Sequence, residues 1–119
     1  MTKYTHIHER VYQDDEVVGH DIPRCYLWDG GHGVQASIVR MHKGKDLGYH
    51  KHDTWVQVLV LSGKIHCTLD NRTCEPGDYY FVEPNDVHKE MALEESEVLV
   101  IKAMPNLQYP VEPPQKATG

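Results

Sequence analysis

His50 and His52 are separated by one residue, and His88 follows the break Pro84-Asn85-Asp86. In an extended strand, residues two apart point to the same side. The first pair can therefore address one ion from one direction, although taken alone it also describes two surface imidazoles. If the strand carrying His88 faces the strand carrying His50, three neutral ring nitrogens meet. That set suits one divalent transition metal, such as Fe, Mn, Co, Ni or Zn, whereas Mg and Ca prefer oxygen ligands. Glu90 lies two residues past His88 and shares its face. It is a candidate distant ligand, an acceptor for a histidine N–H, or a general base. Arg40 continues the phase of Val34, Ala36 and Ile38. Facing inward it would need an anionic partner, either Glu90, Asp53 or a substrate carboxylate or enolate near the metal. Facing solvent, it is a strand-end charge.

The elements that must position these groups read as short strands. Val34 to Met41 alternates, Trp55 to Leu61 is almost wholly apolar and ends at Ser62-Gly63, and Lys64 to Leu69 turns back at Asp70-Asn71. Pro76-Gly77-Asp78 precedes the strand Tyr79 to Val82, and Val87 to Leu93 and Val98 to Ala103 complete the set. Trp55, Tyr79, Tyr80 and Phe81 flank the expected ion site, with only alternate members able to face it. Residues 1–33 have weak periodicity and read as an N-terminal extension with one short strand, Cys25 to Trp28, that could serve an interface. Residues 34–104 form the core, and 105–119 a tail rich in proline whose last residues are expected to be disordered. Many short strands and no convincing helix predict an all-β fold, a closed antiparallel β-barrel or jelly roll.

Two stretches carry a family resemblance. Gly44, five residues, then His50-Lys51-His52, with Gly63 closing the segment, resembles the first motif of the cupins. Pro76-Gly77-Asp78, the strand to Val82, Pro84 and then His88 resembles the second. The resemblance covers roughly residues 34–103 and implies a cupin-type barrel with a metal on His50, His52 and His88. It departs at the glutamate that the first motif places three or four residues past the second histidine, where this chain has Val56 and Gln57. Valine cannot bind a metal. Gln57 could, through its carbonyl oxygen, and some small sugar-processing cupins use such a set. A bulge near Trp55 would be needed to turn it inward; otherwise Gln57 faces solvent and Val56 fills the core. Four neutral ligands would leave the metal its full charge, strengthening it as a Lewis acid.

The bulk numbers narrow the partners. A chain of 119 residues with formal charge -6 and scattered Lys and Arg fits one domain without a nucleic-acid surface. No stretch is long and apolar enough for a membrane helix, and the first ten residues lack a signal-peptide core. A cytoplasmic protein is expected, with a small-molecule substrate and a homodimeric assembly. Cys67 and Cys74 flank the Asp70-Asn71 turn, where a disulfide or two buried thiols are the alternatives. The leading functional expectation is a metal-dependent dioxygenase acting on a chelating enol, dicarbonyl or phenolic substrate. The alternatives are a non-redox isomerase, lyase or cyclase working through an enolate, and a small-molecule or sugar-binding module without turnover.

Overall fold

The computed structural model of the protein describes residues 2–113, so the expectation for the end of the tail falls outside the described residues. Eleven strands account for nearly all its regular structure: β1 (Gln13–Val17), β2 (His20–Gly31), β3 (Val34–Met41), β4 (His50–His52), β5 (Val56–Ser62), β6 (Ile65–Cys67), β7 (Arg72–Cys74), β8 (Tyr79–Val82), β9 (Glu90–Ala92), β10 (Ser96–Ala103) and β11 (Gln108–Pro110). The only helical elements among the described residues are single 3₁₀ turns at Ile7–Glu9 and Leu69–Asn71.

All strand pairings are antiparallel, but the sheets are not closed into a barrel, which corrects the fold expected from the sequence. Six strands form one open sheet in the order β1-β2-β3-β10-β5-β8, with β1 and β8 as its edges. The remaining strands form a pair, β11-β4, and a triplet, β7-β6-β9. The cause lies in strand length. Each of β4, β6, β7, β9 and β11 is three residues long, cut short by turns rich in Gly, Pro, Asp and Asn. A ladder of three pairs cannot be carried around a full circumference. The small sheets meet through two isolated bridges instead, Asp46 with Met91 and His50 with His88.

β5 buries one face of the main sheet through strict alternation. Val56, Val58 and Val60 of β5 are buried, and Val98 and Val100 of β10 stand opposite Val60 and Val58. Val39 of β3 lies opposite Val98 in turn. Ile65, with no exposed surface, packs into the same cluster from β6. Each such side chain contributes roughly 1.5–3 kcal/mol through burial. The N-terminal segment is built into this structure. β1 and β2 form a hairpin joined to β3, and Val17 and Ile22 belong to the core. The turn between β6 and β7 places Asp70 and Asn71 at φ 56° and 50°, the left-handed pair that a tight hairpin needs. In that register Cys67 stands opposite Arg72 and Cys74 opposite Ile65, and all three cysteines are free and buried.

Candidate metal centre

β4 is a strand of three residues whose two ends, His50 and His52, are both buried while Lys51 between them is partly open. His88 comes from the segment just before β9. Its backbone pairs directly with His50: each N–H donates to the other's carbonyl, at 2.9 and 3.0 Å. The two rings lie 4.3 Å apart between centroids, and the ring of His52 is 5.5 Å from that of His88. One nitrogen from each ring can be chosen so that all three lie within 4.8 Å of one another. The sequence brings these side chains together as its spacing predicts, and the cluster is capable of holding a divalent transition metal.

Each imidazole is oriented from behind. His50 Nδ1 donates to the Gly48 carbonyl at 2.8 Å, and His88 Nδ1 to the Asp86 carbonyl at 3.1 Å. A carbonyl oxygen only accepts, so both Nδ1 atoms carry hydrogen. His52 Nδ1 lies 3.0 Å from Asn106 Oδ1, and the amide nitrogen of Asn106 reaches the Trp55 carbonyl, which fixes the amide the same way round. In each neutral ring the free lone pair then belongs to Nε2. Fixing a ligand histidine through its other nitrogen is how proteins set both tautomer and aim.

Glu90 supplies the negative charge beside the three rings. One carboxylate oxygen lies 3.3 Å from His88 Nε2 and 3.7 Å from His50 Nε2, and the other accepts a hydrogen bond from the Tyr80 hydroxyl. Burial alone would raise the pKa of Glu90, but hydrogen bonds from His50 and His88 outweigh it and hold it well below the usual range. Burial likewise disfavours charge on His88, yet the Glu90 hydrogen bond and charge raise its pKa. His52 is pushed down to about 4 by burial, against the opposing Asn106 hydrogen bond. It is therefore neutral and ready to coordinate at neutral pH. The pocket between Glu90 and the rings stabilises positive charge, and a proton or a metal ion can supply it. Three buried nitrogen donors with one adjacent carboxylate fit a first-row divalent ion.

Two other sequence candidates lie elsewhere. Gln57 sits between the inward Val56 and Val58, on the opposite face of β5, and its Oε1 accepts from the Tyr79 hydroxyl at 2.7 Å. The register shift in this part of the sheet falls between Glu97 and Val98 of β10, so no bulge turns Gln57 toward the histidines. Arg40 is 47% exposed. Its guanidinium lies 3.6 Å from the ring centroid of Tyr12 and 3.7 Å from Glu97. Both faces of β3 are apolar, and the buried phase that meets the cavity is Val39 and Met41, not that of Val34, Ala36 and Ile38.

The structure also selects Tyr80 among the expected flanking aromatics and brings in three residues, Asn106, Arg24 and Lys102, that sequence reasoning passed over. Asn106 arrives from the tail, where β11 pairs with β4 and places Gln108 opposite His52. Tyr80 reaches Glu90 from β8. Arg24 and Lys102, both 6% exposed, line the same cavity as His50, His52 and Glu90. The only signal for Lys102 is its phase with Val98 and Val100, a lysine on the buried beat of an apolar strand. A larger hollow near Leu69, Arg72 and Phe81 contains none of the three histidines.

A family profile described as "ChrR Cupin-like domain" matches residues 3–106. No curated protein matches the sequence. Among solved structures, the chain is similar to a Methylibium petroleiphilum PM1 protein provisionally assigned as an acetylacetone dioxygenase, with TM-score 0.78 and 16% identity over 95% of this chain and 83% of that one. It is also similar to an acetylacetone dioxygenase from Acinetobacter johnsonii, with TM-score 0.74 and 17% identity over 89% of this chain and 76% of the other. A third likeness is to the Rhodobacter sphaeroides complex of SigE with the anti-sigma ChrR, with TM-score 0.67 and 17% identity over 82% of this chain and 51% of that one. At these identities the likenesses establish the shared fold. No helix among the described residues is long and apolar enough to cross a membrane.

Proposed function

Starting from the premise that this chain belongs to the ChrR cupin-like domain family, we infer that it is a metal-dependent dioxygenase acting on a small chelating dicarbonyl or enol. The observation that carries this reading is the convergence of His50, His52 and His88 within 4.8 Å, with each Nδ1 held from behind. Two solved structures of similar fold bear the name acetylacetone dioxygenase, which supports the choice of substrate class. When bound, a divalent iron supplies Lewis acidity toward the two carbonyl oxygens and electron transfer with dioxygen. The chain's own residues do the rest. The three histidines would hold the ion through their Nε2 atoms, where the substrate would chelate it. Glu90 is placed to receive the proton that a dicarbonyl releases as it becomes an enolate, and the Tyr80 hydroxyl steadies that carboxylate. Val56, Val58, Val98 and Val100 keep the chamber wall apolar, excluding bulk water. The reaction adds both oxygen atoms of dioxygen to the substrate and breaks one carbon–carbon bond, so no external reductant is needed.

Metal analysis of untagged protein, followed by oxygen uptake with pentane-2,4-dione, related enols and catechols, tests the reading. Iron near one equivalent with oxygen consumption is expected. In His88→Ala both should fall at least tenfold. Zinc or nickel held firmly with no oxygen use would point to enolate chemistry without redox change.

The family's name and the likeness to the ChrR complex favour a second reading, a metal-bearing module that binds without turnover. Stoichiometric ligand binding with no product would select it.

A further inference from the structure

Lys102 and Arg24 are the two buried cations of the cavity that also contains His50, His52 and Glu90. Register explains how they come to share it. Lys102 stands opposite Val56 of β5, four residues beyond His52, and Arg24 stands opposite Val39 of β3. Among the described residues no carboxylate lies within 4.0 Å of the Lys102 ammonium. Arg24 has one loose partner, Asp15 at 3.7 Å, and its buried Nε has none. Asp15 in turn accepts from the Tyr26 hydroxyl. The carbonyl oxygen of the Gln108 amide, on the cavity wall, is also buried without a donor. A buried ammonium with no carboxylate in contact is costly unless something neutralises it, and Asp15 and Asp29 act on Lys102 only from a distance. Burial, and then the Arg24 charge, lower the Lys102 pKa to about 8.

We propose that Lys102 and Arg24 form the carboxylate-recognising pole of the substrate chamber, so that the ligand is an anionic oxo acid and not a neutral diketone. This rests on the reading of the cavity as the substrate chamber and names its substrate class. The anion meets Lys102 and Arg24 while the oxo groups face the histidines, and the carboxylate of Glu90 repels a wrongly turned acid. The cavity volume of about 50 Å³ restricts the ligand to a compact molecule, since one water already needs ~10–15 Å³.

A matched pair of probes tests this: 2,4-dioxopentanoate and pentane-2,4-dione, which differ in the carboxylate. Binding to metal-loaded protein is measured by calorimetry without oxygen. Wild type should hold the acid at least tenfold more tightly. Lys102→Met should bring the two affinities within about twofold without loss of metal, and Lys102→Arg should keep the preference. Equal affinities in wild type, or an undiminished preference in Lys102→Met, would overturn the proposal. A readout that needs no metal separates it from the proposed function: in metal-free wild type, propionate should shift the NMR signal of the Lys102 ε-methylene. Absence of that shift overturns the anion pole even if oxygen is consumed with neutral diketones. Its presence sustains the pole even if no oxygen chemistry occurs, and it decides the matter should Lys102→Met fail to fold.

Discussion

At the scale of single residues, the centre depends on groups that never touch the ion. Asn106 is the sole side-chain partner of His52 Nδ1 among the described residues. Asn106→Leu should leave the three rings in place but free His52 to rotate, weakening metal affinity by roughly 10–100-fold. Competition against a chelator of known affinity measures this, and unchanged affinity would show that packing alone orients the ring. Glu90→Gln separates two roles for the carboxylate. If Glu90 moves a proton, metal content stays near wild type while kcat drops by ~10²–10⁴. If it contributes mainly ligand charge, metal is lost first.

At the scale of elements, the tightest joint lies after β5. Gly63 has φ +83°, and a Cβ there would stand 2.1 Å from Ser96 Oγ and 2.4 Å from the Glu95 carbonyl. Ser96 cannot simply yield, because its hydroxyl accepts from Lys64 N–H and sits against the Glu94 carbonyl. Gly63→Ala should therefore destabilise the fold by about 2–4 kcal/mol, as read from the denaturant midpoint at constant m-value. A loss under 0.5 kcal/mol would mean that the β5–β6 turn relaxes freely. The same scale explains what the sequence revealed. Turn residues have local causes, so Asp70-Asn71, Gly63 and the Pro76-Gly77-Asp78 break could be read directly. The histidines were legible because a spacing of two fixes a common face whatever the register. The faces of β3 were harder, because apolar residues occupy both, Ile38 on one and Val39 with Met41 on the other; on β5, Leu59 and Leu61 share the face of Gln57. Arg40 could be read inward or toward solvent for that reason, and Gln57 needed a bulge that the sheet does not make. Closure into a barrel depends on which edges meet, and three-residue strands carry almost no information about that. Asn106 and Lys102 have no local motif that marks them; the pairing of β11 with β4 and of β10 with β5 places them.

At the scale of the whole molecule, one buried ammonium should leave its mark on stability. The Lys102 pKa falls from 10.5 to about 8, with burial the main cause and the Arg24 charge second. Between those two values the unfolded chain holds the proton and the folded chain has released it, so the contribution of Lys102 to stability rises with pH across that window. The full difference corresponds to roughly 3 kcal/mol. Below pH 8 both states are protonated and the folded one bears an unfavourable charge. Burial also raises the Cys67 and Cys74 pKa values, which pulls the other way above pH 9, so the Lys102 share is read by difference: in urea titrations of metal-free protein Lys102→Met should be the more stable at pH 7.5, and its advantage over wild type should shrink at pH 10. An advantage of Lys102→Met that is the same at both pH values would refute the buried charge.

The tail offers a handle on all of this. β11 lies along β4, Leu107 and Asp53 exchange hydrogen bonds, and Val111 N–H donates to the Tyr49 carbonyl. The body of the main sheet takes no strand from beyond Ala103. A protease site engineered just after that residue would thus work as a release catch. Clipping it should let the ion escape while the valine-lined framework stays folded, turning a resident cofactor into one whose departure can be timed.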